Sequence, residues 1–566
     1  MTPPARLPVV LMWHMHQPQY RDALTGQYVL PWTYLHAIKD YADMAAHLEA
    51  APAARAVVNF TPVLIEQLEE IAARIVQHLE SGAALPDPVL ALLGPAELPQ
   101  AAAQRLELLR ACLRAQRKNM IERFPAYLEL ATLAENFATP ELVGYASDQY
   151  LHDLAVWYHL AWLGETVRRT EPLVAALSAQ GRAFTLANRR ELLALIGRIV
   201  GSIIPRFRAL SDAGQCELSL TPYAHPIVPL LIDFAAARQS QPTATLPHGP
   251  YPGGAERAAW HMREGIRVFA AAFGRRPVGC WPSEGAISAE TLALIEKFEF
   301  RWAASSANVL RASLLASDAA RTLGERDFNR PYRLDNAHLN CFFRDDELSD
   351  LIGFSYATWR GDDAAANLVH ELLERARGLD GAPGHAVLIA LDGENAWEHY
   401  PFNGYFFLSA LYAALTAHPA LELTTLSQCT ARGLVPATLA RVVAGSWVHG
   451  TLATWMGDAA KNAAWELLCD AKRAFDRTSF DGDTGRAERS AAERQLALCE
   501  SSDWFWWFGD YNPADAVTQF DRLYRRQLVN LYRILKLAPP ENLSQPLSVG
   551  HGAPEHGGVM RRATAG

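Results

Sequence analysis

Glu284 lies just past the apolar run Val278 to Trp281, in Trp281-Pro282-Ser283-Glu284-Gly285, and Asp392 follows Val387-Leu388-Ile389-Ala390-Leu391, with Glu394 two residues on. A carboxylate at the mouth of a buried strand is desolvated, which raises its proton affinity toward that of a general acid. Breaking a glycosidic bond takes a proton donor at the leaving oxygen and a second carboxylate at the anomeric carbon, so two such groups from distant segments form the minimal chemical kit. Each also has a plainer role. Glu284 could accept backbone N–H groups at the helix that Ser288 caps, and Asp392 could be a capping or loop carboxylate.

His14 and His16 close the run Trp13-His14-Met15-His16-Gln17-Pro18, and His225 follows in Thr221-Pro222-Tyr223-Ala224-His225-Pro226. Residues i and i+2 point the same way on a strand, so His14 and His16 could share a zinc ion or a sugar hydroxyl. The acidic group around Asp345, in Phe343-Arg344-Asp345-Asp346-Glu347, could bind hydroxyls, hold calcium or form a solvated loop.

The elements that must position these groups are short β-rich runs separated by helical patterns: Val9 to His16, Ala56 to Thr61, Cys216 to Leu220, Val278 to Trp281, Arg301 to Ser305, Asn340 to Arg344 and Ala386 to Leu391. The alternation predicts a parallel α/β architecture, and polar residues gather at the C-terminal ends of the runs, where a β/α barrel builds its site. Seven runs predict an incomplete or distorted barrel. Residues 62–212 predict a helical insertion, including the amphipathic stretch Ala101 to Leu130, a helix over Asn188 to Leu210, and the aromatic segment Tyr150 to Trp162 packing back toward the barrel. A catalytic unit over 1–426 is followed by a helical domain over 427–538, with helices over Asn462 to Phe475 and Ala514 to Leu537. Residues 539–566, rich in Pro, Gly and Ser, predict a disordered tail.

The chain has 566 residues, about half of them apolar, with a formal net charge of -9 and no basic block, which argues against a nucleic-acid partner. No apolar stretch is long enough to span a membrane. Seven scattered cysteines form no metal or disulfide spacing. With no signal-type segment at the N-terminus, they predict a cytoplasmic protein. Fifteen tryptophans suit either a large core or a sugar cleft.

Taken in order, His14-Met15-His16-Gln17-Pro18, Glu217 through His225-Pro226, Trp281 to Gly285, Phe343-Arg344-Asp345 through Asp350, and Leu391-Asp392-Gly393-Glu394-Asn395 resemble the motif set of glycoside hydrolase family 57. Gly445-Ser446-Trp447, Trp455 to Asp458 and Ser502-Asp503-Trp504-Phe505-Trp506-Trp507 are similar to the C-terminal part of its amylopullulanase-like and α-amylase-like members. The resemblance implies a (β/α)7 barrel with a C-terminal α-helical domain, acting on α-glucans such as glycogen or maltooligosaccharides with retention. It implies Glu284 as nucleophile and Asp392 as acid/base, with no cofactor or metal. His14, His16, His225, Asp345 and Glu394 are expected to bind the sugar, with Trp281, Trp397, Trp447 and Trp455 as stacking platforms. A 4-α-glucanotransferase or branching enzyme of the family would share the intermediate. From other classes, a metal-dependent α-mannosidase or polysaccharide deacetylase would use the histidines, and a silent glucan-binding protein would need only the aromatics.

Overall fold

The computed structural model describes residues 6–94, 97–379, 381–382, 384–480 and 482–563. Seven parallel strands form the centre: β1 (Leu7–Met15), β2 (Ala56–Phe60), β3 (Cys216–Leu220), β4 (Gly279–Cys280), β5 (Trp302–Ser306), β6 (Asn340–Arg344) and β7 (Val387–Asp392). Each predicted run becomes a strand to within two residues at either end. Their almost unbroken burial explains the apolar runs, because helices cover the outside and side chains fill the inside. β7 pairs with β1 from Val9↔Val387 to His14↔Asp392, and β6 meets β7 at Arg344↔Leu388, which closes a barrel.

The closure is uneven. β3 and β4 share a single paired position, Leu220↔Cys280. β4 is short, and Gly279 leaves room there for the indole of Trp302, because a Cβ at 279 would lie 1.8 Å from a Trp302 ring carbon. Short strands at Leu421–Leu423, Tyr332–Leu334 and Ala437–Leu439 extend the sheet outside the barrel.

Between β2 and β3 the chain forms helices, among them α1 (Pro62–Ser81), α2 (Asp148–Ala161) and α3 (Leu186–Asp212). A reciprocal Thr185/Asn188 capping box starts α3. The amphipathic Ala101 to Leu130 stretch splits into Ala102–Ala111 and Pro125–Ala134, since Pro125 opens a new helix and holds Phe124 extended. α4 (Gly254–Phe273) precedes β4.

After the barrel come α5 (Ala459–Arg477), α6 (Gly482–Cys499), α7 (Ser502–Trp507) and α8 (Ala514–Ile534). Ring stacking joins them, with Trp465 on Phe505 at 4.2 Å and Trp507 on Phe520 at 4.9 Å between centroids. The buried Glu500 takes hydrogen bonds from Arg257, His261 and Tyr251, tying this group to α4.

The C-terminal residues differ from expectation. Where composition predicted a disordered tail, residues 540–563 pack on the protein, with 3-10 turns at Glu541–Ser544 and Glu555–Gly558 and with Ala563 buried. Backbone hydrogen bonding to partners distant in sequence holds a segment that has no periodicity of its own. Among the described residues, no helix is long and apolar enough to cross a membrane.

Candidate active site

Barrel register builds the site. His14 on β1 lies beside Asn59 of β2 and Asp392 of β7, and Asn59 lies beside Ser219 of β3. One set of protons satisfies the resulting chain. Ser502 Oγ donates to His225 Nδ1 (2.7 Å), His225 Nε2–H to His14 Nε2 (3.1 Å), and His14 Nδ1–H to Asn59 Oδ1 (2.7 Å), while Asn59 Nδ2 donates to Ser219 Oγ (3.0 Å). Burial and the neighbouring His16 push His14 down to about 3, and burial with both other histidines lowers His225 as well, so this chain is neutral.

Glu284 sits in the tight turn after β4, with φ 59° and ψ 22°, a left-handed conformation that costs an ordinary side chain about 1 kcal/mol or more. Trp447 clamps it twice. The Trp447 backbone N–H donates to the Glu284 carbonyl (3.0 Å), and its indole N–H donates to Oε2 (2.8 Å). Oε1 is left 3.9 Å from His225 Nδ1. The Arg344 guanidinium lies over the Trp447 ring at 4.8 Å and donates to the Ala390 carbonyl on β7, which fixes the clamp to the barrel.

Burial, and then repulsion from Asp392, push Glu284 up to about 8, opposed by the Trp447 bond. Burial pushes Asp392 up to about 6, opposed by Asn395. Glu394 is also raised, by burial and by Asp392, and it accepts from the backbone N–H of His16 (3.1 Å). Between about pH 6 and 8 the Glu284/Asp392 pair therefore shares one proton. Such a pair can supply one proton donor and one carboxylate at the same time.

Both groups line one cavity of about 580 Å³, together with His14, His16, His225, Glu394 and Trp447. His16 Nδ1 is buried without a hydrogen-bond partner, and the Glu394 carboxylate meets the Tyr41 hydroxyl. Four expected binding residues do not line the cavity. Trp281 and Trp455 are fully buried, Trp281 behind Trp447 at 5.1 Å and Trp455 beneath Trp506 at 6.0 Å. Trp397 is buried against Trp13 and donates to the Gly393 carbonyl. Asp345 caps the turn that follows β6, accepting from the Leu348 N–H, and it pairs with Arg375. Sequence placed all four beside motif residues, but ring packing buries the three tryptophans and local capping turns Asp345 away from the cleft.

Other lining residues were not selected from sequence: Trp32, His36, Trp162, Asp503, Trp506, Trp507 and Arg561. Trp162 does come from the aromatic segment expected to pack back toward the barrel. Asp503 accepts from His16 Nε2 at 3.0 Å, and its place in an aromatic motif was its only signal. Among the described residues, His16, His225 and Asp503 each offer a ligand atom within 4.8 Å of the others, a spacing that a metal ion could use.

A closed parallel barrel with two desolvated carboxylates facing one cavity at its strand ends defines a barrel enzyme equipped for two-carboxylate chemistry. The chain belongs to glycosyl hydrolase family 57, whose model matches residues 10–438. It is similar in structure to a branching enzyme of Thermococcus kodakaraensis (TM-score 0.58, 15% identity, 93% of this chain and 90% of that one). A branching enzyme of Pyrococcus horikoshii is similar as well (0.58, 16%, 99% and 100%), as is an α-amylase of Thermotoga maritima (0.55, 14%, 95% and 95%). At these identities the likeness establishes the fold. No curated protein is significantly similar in sequence.

Proposed function

We propose that this chain is a retaining α-glucan hydrolase acting on maltooligosaccharides or glycogen, with Glu284 as nucleophile and Asp392 as acid/base. The observation that carries the reading is the shared cavity of these two carboxylates, one of them held by Trp447 through Oε2 so that Oε1 is the atom turned to the anomeric carbon. Family membership supports a glycosidase or transglycosylase. In the empty cleft the proton favours Glu284. A saccharide whose glycosidic oxygen faces Asp392 draws it across, leaving Glu284 ionised for attack while Asp392 protonates the leaving group. Asp392 then deprotonates the water that opens the glycosyl-enzyme. His16 and Glu394, which line the cavity, are among the polar groups that would meet sugar hydroxyls.

The test is to incubate wild-type, Glu284→Gln and Asp392→Asn proteins with maltooligosaccharides, with and without chelator, and to resolve product length and the anomeric form of new ends. Retained α-anomers, lost in both variants and indifferent to chelator, are expected. Products longer than the substrate would move the assignment to a glucanotransferase or branching enzyme, which the aromatic lining of the cleft could serve by holding an acceptor sugar. Abolition by chelator and recovery with zinc would move the chemistry to His16, His225 and Asp503, the alternative that their spacing favours.

A further inference from the structure

The C-terminal residues that composition assigned to a tail line the cleft and dock back on the barrel. The indole N–H of Trp506 donates to the Gly558 carbonyl (2.9 Å). Further along, the Ala563 N–H donates to Asp350 (2.9 Å), and its carbonyl accepts from Asn308 Nδ2 (3.1 Å) and the His449 N–H (3.0 Å). Between these anchors Val559, Met560 and Arg561 line the same cavity as Glu284 and Asp392, and so does His556 just before them.

Arg561 is built for a ligand. Its guanidinium lies over Trp506 at 4.5 Å and over Tyr511 at 4.4 Å, so its plane is fixed. Its hydrogen bonds to Thr454 Oγ1 (3.5 Å), the Trp506 carbonyl (3.4 Å) and Asn512 Oδ1 (3.4 Å) are all long. A guanidinium carries five donors and no acceptor, so three of the five are engaged by protein, each only at the outer limit of hydrogen-bond distance. Glu284, Asp392, Glu394 and Asp503 line the cavity, and that acidic surround disfavours an anionic ligand and suits a neutral polyhydroxylated one. The Arg561 charge also reaches Glu284, favouring its ionised form against the stronger opposing effects of burial and Asp392.

We propose that residues 555–563 are a wall of the substrate cleft and that Arg561 donates hydrogen bonds to hydroxyls of an α-glucan bound beside Glu284. This inference rests on the α-glucan reading above. It makes the last residues of the chain a determinant of saccharide affinity.

The experiment is calorimetric titration of full-length Glu284→Gln, which cannot consume the ligand, with maltoheptaose, alongside the same protein carrying Arg561→Met or Arg561→Lys. Methionine keeps an apolar stem on Trp506 and Tyr511, and an unchanged melting temperature confirms that the strap remains docked. Arg561→Met is expected to weaken binding about tenfold or more, the scale of a hydrogen bond from a charged donor. Arg561→Lys should recover part of the loss. Equal affinity with and without Arg561 would overturn the strap's role while leaving the α-glucan reading standing. No binding of maltoheptaose by Glu284→Gln itself would overturn both.

Discussion

Trp447→Phe separates two roles for one ring. As a platform, Trp447 would matter through its face, which phenylalanine largely keeps. As a clamp, it matters through the indole N–H on Glu284 Oε2, which phenylalanine removes. A hydrogen bond to a charged group contributes roughly 1.5–3 kcal/mol, and at about 1.36 kcal/mol per unit its loss raises the Glu284 pKa by about 1–2 units above its value of about 8. The direction follows because the bond favours the anion. Wild-type kcat/KM on a maltooligosaccharide should be bell-shaped, with its maximum between about pH 6 and 8, where the pair holds one proton. In Trp447→Phe the alkaline limb should move upward by about a unit or more, because Glu284 gives up its proton later. On the proposed roles the height of the bell should fall roughly 10- to 100-fold, because more of the singly protonated enzyme carries the proton on Glu284. A raised KM with an unmoved pH profile would refute the clamp and restore the platform.

Further expectations follow from neighbouring contacts. His14→Ala leaves His225 Nε2 and Asn59 Oδ1 each without its His14 partner in a buried chain, and it should cripple turnover and cost about 1–3 kcal/mol in denaturant unfolding; unchanged kinetics would remove His14 from the site. Glu500→Ala leaves Arg257 buried without its carboxylate and should destabilise by about 3–5 kcal/mol, so a loss below about 1 kcal/mol would contradict the buried pair. Burial alone would raise Glu500, but Arg257 and the His261 bond outweigh it and hold the carboxyl down to about 2. Its contribution, roughly 3 kcal/mol, is therefore full above the unfolded value near 4.5 and lost as pH falls from there toward about 2, a loss absent in Glu500→Ala melting curves over that range. Gly279→Ala drives a methyl into the Trp302 ring, whose indole is held by Glu217, and should cost at least about 2 kcal/mol; wild-type stability would mean that β4 moves freely.

The barrel was legible because parallel strands buried on both faces must be written as apolar runs, and all seven could be read one at a time. The same local logic exposed Glu284, Asp392 and the histidine pair, since a polar residue ending such a run has few places to go except the strand-end cleft. Contacts between segments far apart in the chain were not legible. Trp447 and Glu284 are 163 residues apart, and their contact needs the loop after the barrel to fold back over β4. Asp503 reaches His16 only because Glu500 docks the C-terminal helices on α4. Residues 540–563 carry no periodicity, so composition read them as disorder, whereas partners from the rest of the chain hold them in place. Sequence alone determined the strands and the carboxylates and histidines at their ends, because both are set by local patterns of burial and charge. The tertiary structure decided which aromatic rings meet the cavity, which protons the histidines keep, and that residues near 556–561 line the cleft, because each depends on distances that no local pattern encodes.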